Sequence, residues 1–139
     1  MNIVYEENTL TAEQFNILRN INGFKYYPEH QVDKAIKNGL YNIIAKDNDT
    51  VIGMGRLVGD GFIYWYVQDV HVNPNYQGKG IGKEIMRLLE NYVERNRLPD
   101  TFTTIGLTVA KGKDGFYEKL GYIPRPNENC GAGMGKLLQ

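Results

Sequence analysis

Residues 76–84 read YQGKGIGKE, placing glycine at 78, 80 and 82 at the mouth of a segment with helical spacing. Glycines let backbone N–H groups approach an anion without side-chain collision, and a helix N-terminus adds a partial positive charge. The stretch is a candidate cradle for a phosphate or pyrophosphate, the alternative being a glycine-rich turn that only starts a helix. Two common nucleotide patterns fail here. A P-loop needs glycine five residues before Gly82 and Ser or Thr at 84, where Gln77 and Glu84 stand. A dinucleotide GxGxxG begun at Gly78 or Gly80 needs glycine at 83 or 85, where Lys83 and Ile85 stand.

A second set of reactive residues lies just upstream, in the long run FIYWYVQDVHV. Its aromatic and β-branched residues suit a buried central strand, which Gln68, Asp69 and His71 interrupt with polar groups. A buried carboxylate must be paired, hydrogen-bonded or functional, because an unpaired buried charge is costly. Asp69 either holds an ammonium or takes its proton through water, or else pairs with a neighbouring strand through Arg56. Strict alternation puts Tyr66, Gln68 and Val70 on one face and Asp69 with His71 on the other, unless a bulge shifts the register. His71 then lies opposite Val70 and Val72, where a structural role is the simpler one. Phe24, Tyr26 and Tyr27 form an aromatic run in a loop and Tyr64, Trp65 and Tyr66 another in the strand. Such rings either wall a pocket for apolar or cationic groups or pack the core.

The elements that must position these residues follow from spacing. Residues 3–6 read as a strand. Thr11 and Gln14 fit a capping box that opens a helix to about residue 20. Pro28 suits the first position of a second helix, closed at Gly39. YNIIA and VIGMGRLV read as antiparallel strands joined by a polar DND turn, and Asp60–Gly61 marks the turn into the long strand. From Ile81, apolar residues recur at Ile85, Leu88, Leu89, Tyr92 and Val93, one face of a helix. FTTIGLTVA reads as a strand, residues 114–120 as a short helix before Gly121, and YIPRP as another strand, with one more possible in the tail. No internal repeat or low-complexity linker interrupts the chain.

Length and composition bound the function classes. The 139 residues suit one domain, 1–139. Sixteen basic and sixteen acidic residues cancel, so no overall field draws the chain to nucleic acid or an anionic membrane. No apolar run reaches membrane-spanning length, and the acidic start MNIVYEENTL lacks a signal-peptide pattern, so a cytoplasmic protein is the expectation. Cys130 is the only cysteine and the histidines stand at 30 and 71, which makes neither an internal disulfide nor a metal-ligand pattern. Cys130 is expected to be a bystander thiol.

A long strand ending VHVNPNYQGKGIGK resembles motif A of the GNAT N-acetyltransferase superfamily, with Gln77, Gly80 and Gly82 filling its Gln/Arg-x-x-Gly-x-Gly/Ala signature. AKGKDGFYEKLGY resembles a second motif, with Phe116 and Tyr117 on the short fourth helix. The DG before the long strand, QDV within it and RP before a GxGM tail are similar to small bacterial amine or aralkylamine acetyltransferases. The resemblance implies an α/β (α+β) fold, a mixed and mostly antiparallel sheet of about six or seven strands flanked by about four helices. It also implies acetyl-CoA as co-substrate and no metal. The pyrophosphate would lie along Gln77, Gly78, Lys79, Gly80, Ile81, Gly82 and Lys83, and the pantetheine arm along Val70, His71 and Val72, with Phe116 and Tyr117 also at the cofactor. Many relatives carry an asparagine after the fifth strand; here VAKGK stands instead, leaving its contacts unassigned.

Transfer of acetyl to an amine needs a neutral amine and a proton for the leaving thiolate, since alkyl ammonium groups titrate near ~10.4 and thiols near ~8.5. Tyr117 is the candidate acid by analogy, or else a core tyrosine; Asp69 and Gln68 are the polar candidates beside the amine. Phe24, Tyr26, Tyr27, Arg56 and Tyr66 are the expected acceptor-pocket residues. The expected activity is acetyl-CoA-dependent N-acetylation of a small-molecule primary amine by direct transfer in a ternary complex. The competing readings are a non-catalytic acyl-CoA sensor and a protein or peptide acetyltransferase of the same fold. A homodimer is possible for this fold.

Overall fold

A computed structural model describes residues 1–139. They divide into two compact units, residues 1–107 and 108–139. The first unit carries β1 (Ile3–Glu7), α1 (Ala12–Ile21), α2 (Glu29–Asn38), β2 (Tyr41–Asp47), β3 (Thr50–Gly59), β4 (Tyr64–Val72), a 3-10 turn (Pro74–Tyr76), α3 (Ile81–Asn96) and β5 (Thr104–Leu107). The second carries α4 (Asp114–Glu118).

The five strands form one sheet in the order β1-β2-β3-β4-β5. Neighbours from β1 to β4 are antiparallel, whereas β5 runs parallel to β4. A parallel neighbour requires a crossover, which α3 supplies. Both faces of the sheet are covered. Met54 and Ile44 pack with Leu10, Ala12, Phe15, Leu18 and Val32, so α1 and α2 cover one face. Gly55, the next residue of β3, faces the other way. A Cβ there would stand 2.7 Å from Ile85 Cγ2 and 3.0 Å from Leu89 Cδ1. Only glycine lets α3 lie this close to the sheet. Ile81, Ile85, Met86, Leu89 and Val93 are all buried on α3, each such burial worth ~1.5–3 kcal/mol. Trp65 meets Tyr92 edge-on at 6.4 Å on the same side, and Tyr41 stacks on Tyr92 at 4.1 Å.

Local signals account for several boundaries. Thr11 Oγ1 accepts from Gln14 N and Gln14 Oε1 accepts from Thr11 N, the reciprocal capping box expected for α1. Pro28 is the cap of α2 rather than its first residue, and Gly39 closes that helix in extended conformation, its N–H donating to Ile36 O. β4 starts at Tyr64, not Phe62, because Asp60 Oδ1 accepts the N–H groups of Phe62, Ile63 and Tyr64 and holds them in a loop.

The sheet has five strands where about six or seven were expected. YIPRP forms no strand, because Pro124 and Pro126 have no N–H to give a ladder. The tail contributes only an isolated bridge between Asn127 and Cys130. β5 covers four residues of FTTIGLTVA.

Candidate active site

The glycine loop is held from below by side chains. Tyr76 Oη donates to Asp47 Oδ2 at 2.7 Å, tying the 3-10 turn to the β2–β3 hairpin. Gln77 Nε2 donates to Val72 O and to Asn22 Oδ1, while Asn22 Nδ2 donates to the same Val72 carbonyl. The signature glutamine thus clamps the end of β4 to the end of α1. Gly78 and Gly80 follow with φ of +79° and +82°, the left-handed region that disfavours any side chain. Gly80 caps α3, and Cβ atoms added at 78 or 80 would meet nothing within 4 Å. The first intrahelical bond runs from Glu84 N to Gly80 O. The N–H groups of Ile81, Gly82 and Lys83 are therefore left over at a positive helix end. Lys79 and Lys83 are exposed at its rim, whereas the Ile81 side chain is in the core, so only its backbone can serve a ligand.

β4 leads into this loop with one edge open. It pairs with β5 only over residues 64–67, against 104–107. Beyond Val67 residues 68–72 pair with no strand on the β5 side, and of their carbonyls that of Val72 is taken by the Gln77 and Asn22 side chains. At the same point the β3–β4 register shifts: Arg56 pairs with Gln68 and Met54 with His71, so Asp69 and Val70 together oppose Gly55. Asp69 has φ of +56°, which marks the bulge.

The bulge reverses the strict alternation expected for this segment. A Cβ on Gly55 would lie 3.6 Å from Val70 Cγ2, so Val70 faces α3, not the side of Gln68 and Tyr66. Asp69 turns instead toward α1 and α2. Its Oδ1 accepts from Arg19 Nη1 at 3.0 Å and its Oδ2 from Arg56 Nε at 3.1 Å. The pair with Arg56 is the one anticipated; Arg19, fifty residues away, was not. A carboxylate gripped by two guanidiniums is poorly placed to accept an ammonium proton. Gln68 is half-buried in the register opposite Arg56.

Aromatic rings surround this charge cluster. The Arg19 guanidinium lies 4.9 Å from the Tyr27 ring, 5.2 Å from Phe24 and 5.5 Å from Phe15. Phe24 also meets the His71 imidazole edge-on at 5.0 Å. Tyr27 is anchored by its backbone, whose N–H donates to Asn16 Oδ1 and whose carbonyl accepts from Asn16 Nδ2. Phe24 and Tyr27 are 39% and 45% exposed and Tyr26 60%, so these rings form an open wall and not core. Of the second aromatic run, Trp65 belongs to the core and Tyr64 to the surface, while Tyr66 is half-buried against Gly106.

His71 is buried, and desolvation holds its imidazole below the ordinary value of 6.5; nearby Asp69 opposes this and Arg19 reinforces it. The native state thus binds fewer protons there than the unfolded chain. This contribution to stability is present above pH 6.5 and lost as pH falls through the folded value. Denaturant unfolding between pH 7.5 and 5 is expected to show a loss of stability on acidification that is smaller in His71→Gln. An imidazole NMR titration centred above its unfolded value would contradict this.

In the second unit, α4 carries Phe116 and Tyr117 with their rings edge-on at 4.9 Å, and Tyr117 meets Tyr122 edge-on at 6.1 Å. Burial pushes the Tyr117 phenol above its ordinary range, so it keeps its proton at neutral pH. Cys130 is exposed and in no disulfide, and no group of three or more His, Cys, Asp or Glu side chains is arranged to hold a metal. No helix is long and apolar enough to cross a membrane.

The site thus joins an open strand edge, a bulge and a helix start with unsatisfied N–H groups on a mixed α/β sheet. The chain belongs to the acetyltransferase (GNAT) family, whose model matches residues 6–122. It is 32% identical over 111 residues to an uncharacterized N-acetyltransferase, ycf52-like, of Prochlorococcus marinus, a match covering 77% of this chain and 59% of that relative. The chain thus spans about three fifths of that relative's length. Among solved structures, a protein of unknown function from meticillin-resistant Staphylococcus aureus, described as a probable acetyltransferase, superposes with a TM-score of 0.85 at 26% identity, over 98% of this chain and 100% of that one. A GNAT family acetyltransferase from Streptococcus pneumoniae TIGR4 gives 0.79 at 26% identity, over 99% of both chains.

Proposed function

We propose that residues 1–139 act as one N-acetyltransferase domain that moves acetyl from acetyl-CoA to the primary amine of a small molecule, by direct attack within a ternary complex. The observation that carries this is the continuity of the β4 edge at residues 68–72, which pairs with no further strand, with the glycine loop at 78–82, left-handed at Gly78 and Gly80. An extended amide-bearing arm can add to the strand edge as a further strand would, while the pyrophosphate takes the leftover N–H groups of α3. Val70 and Val72 then flank the arm, and Lys79 and Lys83 add charge at the rim. Phe24, Tyr26, Tyr27 and Tyr66 shape the acceptor side, and Gln68 at the bulge orients the amine by hydrogen bonding.

The amine nitrogen attacks the thioester carbon, the C–S bond breaks, and the sulfur leaves with the electron pair. Tyr117 gives its phenolic proton to that sulfur and recovers one, through solvent, from the attacking nitrogen, which loses it as the tetrahedral intermediate collapses to the amide. The phenol holds its proton at neutral pH and so has one to give, while the burial that raises its pKa makes it a weaker donor to a thiolate, which lowers the gain expected from it. Tyr117→Phe keeps the ring and removes the donor. Its kcat is expected to fall ~10- to 100-fold, the low end for general acid catalysis because a thiolate leaves readily. Acetyl-CoA affinity and melting temperature should stay near parental values. An unchanged kcat would return Tyr117 to a packing role.

The reading as a whole is tested by thiol release from acetyl-CoA across a panel of small amines and peptides. Amine-dependent release is the expected result. Acetyl-CoA binding with no release for any acceptor would favour a sensor, and release with peptides alone would move the substrate class.

A further inference from the structure

The charge cluster behind the bulge is unbalanced. One carboxylate, Asp69, faces two guanidiniums, and the side chains of Arg19, Arg56 and Asp69 are only 13%, 11% and 12% exposed. Charges in such partly desolvated surroundings act far more strongly than on an open surface. Both oxygens of Asp69 are spent, one on each arginine. Arg19 Nε also donates to Lys25 O and Arg56 Nη1 to Ala35 O. The Nη2 group of each guanidinium donates to no protein acceptor, yet neither is a sealed orphan: Trp65 Nε1 is the one buried side-chain nitrogen or oxygen without a partner. Each Nη2 therefore keeps some contact with solvent, beside a net positive charge.

We propose that Arg19, with Arg56 behind it, forms an anion-recognition subsite, and that the acceptor is a primary amine which also carries a carboxylate or phosphate group. This rests on the acetyl-transfer reading of the same site. The Arg19 fork is held by Asp69 and by the rings of Phe15, Phe24 and Tyr27, so little rotamer freedom remains to be lost when an oxyanion docks. A guanidinium presents N–H pairs matched to carboxylate and phosphate oxygens. The same net charge repels an ammonium, which favours the neutral amine that attack requires. The alternative role for Asp69, an anionic seat for the substrate ammonium, would need a carboxylate free of cations.

The test uses two matched pairs of amines with the CoA-saturated protein: 4-(aminomethyl)benzoate against benzylamine, and O-phosphoethanolamine against ethylamine. Calorimetric titration is expected to show the anionic member of at least one pair binding ~10- to 100-fold more tightly, as for hydrogen bonds between charged groups. The pair that responds identifies the oxyanion. Arg19→Gln leaves Asp69 paired one-to-one with Arg56, so the fold should survive; the preference should shrink to within about twofold while acetyl-CoA affinity holds. Arg19→Lys, which keeps the charge and loses the fork, should fall between and serves if the glutamine variant unfolds. A parental preference below twofold, a preference that persists in both variants, or no binding by any of the four amines overturns the subsite. Thiol release is read in parallel samples in which acetyl-CoA replaces CoA. Preferred anionic binding without release would sink the transfer reading and leave the subsite standing, and release with equal preference for neutral amines would do the reverse.

Discussion

Gly80→Val is expected to weaken acetyl-CoA binding by about 100-fold, the equivalent of one or two hydrogen bonds to a charged group. Gly80 sits at φ of +82° as the cap of α3, and the space its Cβ would enter is open protein surface. Valine there points two methyl groups into the volume assigned to the pyrophosphate. It also pulls the backbone away from the left-handed region, which turns the leftover N–H groups of residues 81–83 off their common target. Left-handed strain alone costs a β-branched residue about 1–3 kcal/mol of stability. Gly61→Val is the control, since Gly61 has φ of +81° and its added Cβ would make only an ordinary contact, 3.6 Å from Leu40 Cδ2. Both variants should melt earlier by similar amounts, and only Gly80→Val should lose affinity in titration calorimetry. Equal affinity in the two would remove the cradle from the account.

Asp69→Asn should be the most destabilising change at the site. It leaves Arg19 and Arg56, both largely buried, facing each other across a neutral amide. Removing one partner of a buried ion pair typically costs ~3–5 kcal/mol, because the remaining charge stays desolvated. For a chain of this size that corresponds to a fall in melting temperature on the order of 10 °C. Combining it with Arg19→Gln should recover part of the loss, since one unpaired cation is then gone. A loss below ~1 kcal/mol in chemical denaturation would mean that water already solvates this cluster.

What could be read from the chain and what could not divide along physical lines. The capping box of α1, the apolar stripe of α3 and the glycine-rich start of that helix are encoded by residues within a few positions of one another, and the structure forms each as expected. The bulge was only foreseen as a possibility, because a single residue at positive φ leaves no periodic trace. Its effect is large: it sends Val70 to the α3 side and Asp69 to the arginines. Arg19 escaped notice because an ion pair between α1 and β4 has no local spacing. A usable signal existed, since a carboxylate inside a buried strand demands counter-charge and Arg19 is the only cation on α1. The strand expected at YIPRP failed for the opposite reason, a local rule ignored: proline at 124 and 126 withholds the donors a ladder needs.

The most direct test of the central claim follows the acetyl group itself. Acetyl-CoA labelled at the acetyl carbonyl is mixed with the protein and a primary amine, and the label is traced by mass spectrometry in the small-molecule and protein fractions during a single turnover. The account predicts that the label passes to an amide on the amine, one per CoA thiol released, with none on the protein and none transferred when the amine is omitted. A labelled protein intermediate would contradict direct transfer, and the absence of any labelled amide above the protein-free blank, with acetyl-CoA bound, would contradict acetyltransferase activity altogether.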